Sequence, residues 1–224
     1  MRIVFISDTH CYHNKVQLPD GDVLVHAGDI SGQGEFHVIK QFNKWIAKQS
    51  FSNTLVVAGN HDRTFESDAQ KAESLLTNCR YLRDSEVVID GFKFYGSPWQ
   101  PEFCNWAFNL PRDGKRLREV WSQIPTDTDV LITHGPPSGT LDFTLYDREH
   151  AGCAELARAL QRVQPAVHVF GHIHEGYGVI STENTLYVNA SICTLNYEPS
   201  NKPIWVDLEK IDGKVKVVNH GYGN

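Results

Sequence analysis

The sequence predicts one α/β domain spanning residues 1–224, with its chemistry gathered at the carboxyl edge of a sheet. Two observations predict this. Five short apolar runs, at residues 2–7, 23–27, 54–58, 129–133 and 166–170, are continuous rather than alternating, as in strands covered on both faces. Each run stops abruptly at Gly, Asp, Asn or His. In open α/β sheets that edge is where ligands bind.

The remaining elements follow in order. At residues 35–48, Phe36, Ile39, Phe42 and Ile46 recur at helical spacing and mark an inward stripe. Residues 151–163 repeat the pattern with Leu156, Leu160 and Val163, and shorter helices are expected at 67–76 and 114–123. Residues 81–95 read as a hairpin, with strands at 86–89 and 92–95 turning at Asp90-Gly91. The segment 96–111 is rich in aromatic residues, and either packs beneath a long loop or lines a pocket. The last third, 178–218, is strand-rich and expected to be antiparallel. No repeat, low-complexity stretch or linker divides the chain.

Composition narrows the function. With 27 acidic against 21 basic residues the formal charge is −6, which argues against a surface that coats long nucleic acid. No apolar run approaches the length of a membrane span, and residues 2–7 turn polar too quickly for a signal peptide. The five cysteines are scattered without a Cys-x-x-Cys pair. That pattern points to a reducing, cytoplasmic setting and away from disulfides or a zinc–thiolate site.

The chemistry lies at the strand ends. Gly59-Asn60-His61-Asp62 offers a turn, a neutral oxygen donor, a proton carrier and a carboxylate able to orient it. Asp8 and His10 are two apart, so an extended backbone turns both to one point. Asp29 follows Gly28, His134 follows the fourth run, and His172 and His174 follow Gly171. Mixed oxygen and imidazole donors suit manganese, iron or zinc better than magnesium or calcium. His13 is expected as a surface or supporting group, and His26, inside its strand, as a core histidine.

Asp8-Thr9-His10, Gly28-Asp29, Gly59-Asn60-His61-Asp62, His134 and Gly171-His172-Ile173-His174 together resemble the calcineurin-like metallophosphoesterases. The segments Gly96-Ser97-Pro98-Trp99, Trp106 to Pro111 and Thr133 to Pro137 resemble the small metallophosphoesterase-domain proteins grouped with class III cyclic-nucleotide phosphodiesterases. The resemblance implies a four-layer α/β/β/α sandwich, two mixed sheets flanked by helices. It implies two divalent metal ions, manganese first, with iron or zinc as alternatives. One would be held by Asp8, His10, Asp29 and His174, the other by Asp29, Asn60, His134 and His172. Hydroxide between them would attack a small phosphodiester or cyclic nucleotide in line. His61 would be the general acid, with Asp62 to orient it. Trp99, Trp106 and Phe108 are the candidates for stacking a base. A phosphomonoesterase or protein phosphatase, or a non-catalytic scaffold on the same fold, is the alternative. The sequence is compatible with a monomer or a dimer.

Overall fold

The apolar runs form strands with both faces buried, and alternation within each run assigns its side chains to two different cores. Along Arg2–Ile6, Ile3 and Phe5 face one way and Val4 and Ile6 the other, all without exposure. The computed structural model describes residues 1–223. Its first sheet runs, in spatial order, Lys214–Tyr222, Ile204–Ile211, Arg2–Ile6, Val23–His26, Asn53–Val56 and Arg80–Tyr81. The second runs Gly178–Ser181, Leu186–Asn189, Val167–Phe170, Val130–Thr133, Phe92–Ser97 and Ser85–Ile89. Both sheets are mixed: the first is antiparallel only at its Lys214–Tyr222 side and parallel through to the Arg80–Tyr81 edge, and the second has a parallel centre with two antiparallel edges.

Three cores separate four layers. Between the sheets, Ile3, Phe5, Val25 and Leu55 meet Phe94, Ile132, Val169 and Val188. On the outer face of the first sheet, Val4, Leu24 and Val56 pack on Ile39, Phe42 and Trp45 of the helix Phe36–Ile46. On the outer face of the second, Tyr95 and Leu131 pack on Lys115–Ser122 and Ala154–Val163 through Trp121, Leu156 and Leu160. This is the expected α/β/β/α sandwich.

The hairpin forms as read, with Ile89 opposite Phe92 and both turn residues, Asp90 and Gly91, at positive φ. Three local expectations need correction. The helix expected at 67–76 is two short ones, Thr64–Ser67 and Ala69–Ser74, broken at Asp68, whose φ of −144° leaves the helical region. Leu186–Asn189 runs parallel to Val167–Phe170, because Leu186 and Val188 fill the inter-sheet core and the chain must exit at the ligand edge. His13 is fully buried between Phe42 and Trp45, with neither ring nitrogen hydrogen-bonded, and burial lowers it to about 4.

Phe42 links the outer core to the ligand edge. Its ring lies edge-on to His26, centroids 5.1 Å apart, and the His26 Nε2 is 2.9 Å from the Thr9 hydroxyl between Asp8 and His10. Truncating a fully buried Phe costs about 3–5 kcal/mol. Phe42→Ala should therefore lower the unfolding free energy by about that amount in urea titration, and a change under about 1 kcal/mol would show that this wall repacks freely.

Candidate metal centre

The two sheets are joined at their carboxyl edges, and that seam gathers the donors. Ser7, after the first strand of the first sheet, forms a bridge with Ser191, beyond the second sheet's Leu186–Asn189, and the Ser7 N–H donates to the Ala190 carbonyl at 2.8 Å. Asp8 and Asp29 leave strands of the first sheet, His134 and His172 strands of the second. Asp8, His10, Asp29 and His172 all sit at positive φ, between 39° and 67°. Such backbone costs about 1 kcal/mol or more per residue and persists only where its surroundings dictate it.

Close approach at the seam requires glycine twice. A Cβ on Gly171 would collide with Asp8 Oδ2, and one on Gly59 would collide with Asp29 Oδ1. The glycines beside the motif residues thus let carboxylates from one segment lie against the backbone of another.

The donor atoms converge. Asp8, His10 and His174 form one group with ligand atoms within 4.8 Å of one another; Asp8, Asp29 and His134 form a second; His10, Asp29 and His61 a third. His10 Nε2 lies 3.3 Å from His174 Nε2 and 3.7 Å from Asp29 Oδ2. His134 Nε2 is 2.9 Å from Asn60 Oδ1 and 3.5 Å from Asp29 Oδ2. Asp29 is therefore shared by both halves. His172 is in none of the three groups; its ring stands edge-on to His134, centroids 5.1 Å apart, and its backbone N–H donates to Asp8 at 3.1 Å.

The chemistry of this set fits cations. His134 Nδ1 is 3.0 Å from the Ala27 carbonyl, and His174 Nδ1 is 2.9 Å from the Thr194 carbonyl. A carbonyl only accepts, so both Nδ1 atoms carry hydrogen and Nε2 is left for the site. Electrostatics agrees. Burial works against the charged forms, yet Asp29 raises His134 to about 9 and Asp8 raises His174 to about 8. Burial likewise opposes the Asp8 and Asp29 carboxylates, which His174 and His134 respectively hold well below the usual range. Protons there occupy positions that call for positive charge. His172, by contrast, is lowered to about 3 by burial and by His134, which favours a neutral, ligating ring.

His61 stands beside this set. Its backbone N–H donates to Asp29 Oδ1 at 2.8 Å, and its Nδ1 lies 2.8 Å from the Gly32 carbonyl. Trp106 stacks on its face, centroids 4.1 Å apart and 25° from parallel, while His10 meets its edge at 4.7 Å. Arg63 also lies over the Trp106 ring, 5.2 Å from its centroid, and donates to the Asn105 carbonyl.

Two expectations change here. Asp62 does not orient the His61 ring, which is held by Gly32. Its buried carboxylate accepts from the N–H groups of Gly59, Ile30 and Ser31 and from the Ser31 hydroxyl, clamping two ligand loops together. Burial and the Asp29 charge push it up to about 6 against those donors. The base-stacking trio also dissolves. Phe108 is fully buried, and Trp99 donates to Asp84 at 2.8 Å while packing edge-on to Phe108. Neither lines the cavity, and Trp106 faces His61 instead.

A cavity of about 500 Å³ opens beside the donors. Among its walls are Phe103, Tyr197 and Arg112, which the motif search did not single out. Ser191 was also missed as a site residue; its hydroxyl donates to Asp8 Oδ2 at 2.9 Å. The strand exit Asn189-Ala190-Ser191, repeating the run-then-polar pattern, is the signal that marks it. No comparable local pattern marks Phe103 or Tyr197.

The sequence profile of the calcineurin-like phosphoesterases matches residues 1–176. The chain belongs to that family. Calcineurin-like phosphoesterases hydrolyse phosphoester bonds, and the donor groups here suit the dinuclear divalent centre associated with the fold. Human metallophosphoesterase domain-containing protein 1 is 48% identical over 231 residues, covering 92% of this chain and 71% of that protein. The Caenorhabditis elegans UPF0046 protein K07C11.7 is 39% identical over 218 residues, covering 91% and 74%. A crystal structure of TT1561 from Thermus thermophilus shares this chain's fold at 13% identity, with a TM-score of 0.60 over 97% of this chain and 98% of that one.

The Gly171 contact gives a direct test of the seam. Gly171→Ala must displace Asp8 and Ser7, so manganese affinity should fall at least tenfold while circular dichroism stays near wild type. Unchanged affinity in calorimetric titration would show that Asp8 has room to move.

Proposed function

We propose that this protein is a dinuclear metal-dependent phosphodiesterase acting on small substrates, with manganese as its working metal. One observation carries the reading: His134 and His174, with Nδ1 committed to carbonyls, direct Nε2 onto the buried carboxylates that Asp8 and Asp29 share between groups. Asp8, His10, Asp29 and His174 would hold one cation, and Asp29, Asn60, His134 and His172 the other. Together the cations would supply charge neutralisation at the phosphoryl oxygens and an acidified water near neutral pH.

The chain's own groups do the rest. Asp29 aligns the halves through its oxygens, and its hydrogen bond from the His61 backbone fixes where that side chain begins. With Nδ1–H committed to Gly32, His61 has Nε2 available to give a proton to the departing ester oxygen. Trp106 and His10 hold the ring's orientation. Trp99 and Phe108 support the loop from beneath, which leaves substrate recognition to the cavity walls.

Charge favours diesters over monoesters and phosphoproteins. Outside the donor set the cavity's charged walls are Arg112 against Asp147, Glu149 and Glu175. A monoester's second negative charge meets no additional cluster of cations there, whereas a diester carries a single charge. Long nucleic acid fits neither this wall nor the net charge of −6. No helix among the described residues is long and apolar enough to cross a membrane. The five cysteines are free, which supports the reading of a reducing, cytoplasmic compartment.

Two outcomes test the centre. Manganese loading should approach two equivalents per folded chain by elemental analysis, and Asp29→Asn should weaken both equivalents together with turnover. A ceiling of one equivalent in wild type sinks the dinuclear reading. His61→Ala should keep both metals but lose about 10²–10⁴-fold in rate on a diester with a poor alkoxide leaving group, and markedly less on one losing nitrophenolate. Equal losses on the two substrates would assign His61 to the phosphoryl oxygens instead of the leaving group.

A further inference from the structure

Two aromatic side chains flank the donor cluster on different sides. Phe103 stands edge-on to His172, rings 5.8 Å apart and 80° to each other. Tyr197 stands edge-on to His10, at 4.7 Å and 66°, and is 5.3 Å from His174 and 6.4 Å from His61. They come from separate loops, after Gln100–Pro101 and after Leu186–Asn189, and line the same cavity. Their exposures, 44% and 48%, leave much of each ring facing open space. Tyr146 and Leu195, also exposed, extend this apolar lining. Apolar surface left in water beside an open cavity gains free energy when a flat apolar group covers it. Among the cavity's charged walls the carboxylates of Asp147, Glu149 and Glu175 outnumber the single cation Arg112, which disfavours a second anion.

We propose that the cavity selects monoanionic phosphodiesters whose two ester arms are both uncharged and flat, one lying along Phe103 and the other along Tyr197. The assignment rests on the phosphodiesterase reading of the site. Since His61 serves the leaving oxygen, the arm on the Tyr197 side departs and the arm on the Phe103 side is retained. Hydrolysis consumes one water. A new P–O bond forms to the water oxygen, and the P–O bond to the Tyr197-side arm breaks. That oxygen takes the electron pair and a proton, and the Phe103-side arm remains on a phosphomonoester.

The test uses the manganese-loaded full chain and two substrates with the same leaving group, bis(4-nitrophenyl) phosphate and methyl 4-nitrophenyl phosphate. Phe103→Ala should lower kcat/KM on the first about tenfold more than on the second, the scale of one lost aromatic contact. Phe103→Leu, which retains apolar contact, should give an intermediate ratio. Tyr197→Ala should lower both rates and leave their ratio within twofold, because both substrates lose the same arm. Metal content is measured in every variant, so that loss of the centre is not read as loss of a wall. A diester whose retained arm ends in a carboxylate should turn over at least tenfold more slowly than the methyl ester. Ratios unchanged in Phe103→Ala, or the reverse pattern between the two variants, overturn this proposal while the phosphodiesterase reading stands. Absence of turnover on every diester with metals bound overturns both.

Discussion

Two buried carboxylates set the terms for the rest of this structure. Asp8 and Asp29 are 0% and 2% exposed, and among the described residues no lysine or arginine pairs with either. Burying an ionised carboxylate without compensation is among the most costly arrangements in a protein. The fold answers with donors from every segment at the seam. Asp8 receives the His172 N–H and the Ser191 hydroxyl, and Asp29 receives the His61 N–H. The surrounding histidines supply the remaining positive charge, as protons or by directing Nε2 to cations.

That requirement explains why two sheets are needed. One sheet places Asp8 and Asp29 at adjacent strand ends, since Phe5 lies in register with Val25. Adjacent carboxylates alone would repel. The second sheet, packed face to face through the inter-sheet core, brings His134 and His174 across to them. The fit depends on backbone approach at Gly59 and Gly171 that no side chain would permit. Core packing and site geometry are therefore one problem, and His26 shows the connection. It is packed by Phe42 from one side and meets the Thr9 hydroxyl on the other.

The supporting groups divide by the charge they carry. Asp62 clamps the Asp29 and Asn60 loops from beneath, where its four donors come from backbone and Ser31. His61 is held by a neutral carbonyl and an indole face rather than by a carboxylate. A carboxylate at Nδ1 would add a further negative charge to those of Asp8, Asp29 and Asp62. Gly32 and Trp106 fix the ring without that charge.

By itself the sequence determined which residues stand at strand ends and which faces of the strands are buried. Both follow from local rules: side chains alternate along a strand, and a run covered on both faces must stop where polar residues begin. The donors Asp8, Asp29, Asn60 and His134 were legible for that reason, as was the Asp90-Gly91 hairpin. Only the tertiary structure decided what lies between the strands. It made Trp99 and Phe108 core, turned Trp106 onto His61, gave Asp62 to backbone donors, buried His13, and brought Phe103 and Tyr197 to the cavity. Aromatic residues in loops have no period to read. Their placement depends on which distant segment offers a surface, as when Tyr197 reaches His10 and His61 from the far end of the sequence.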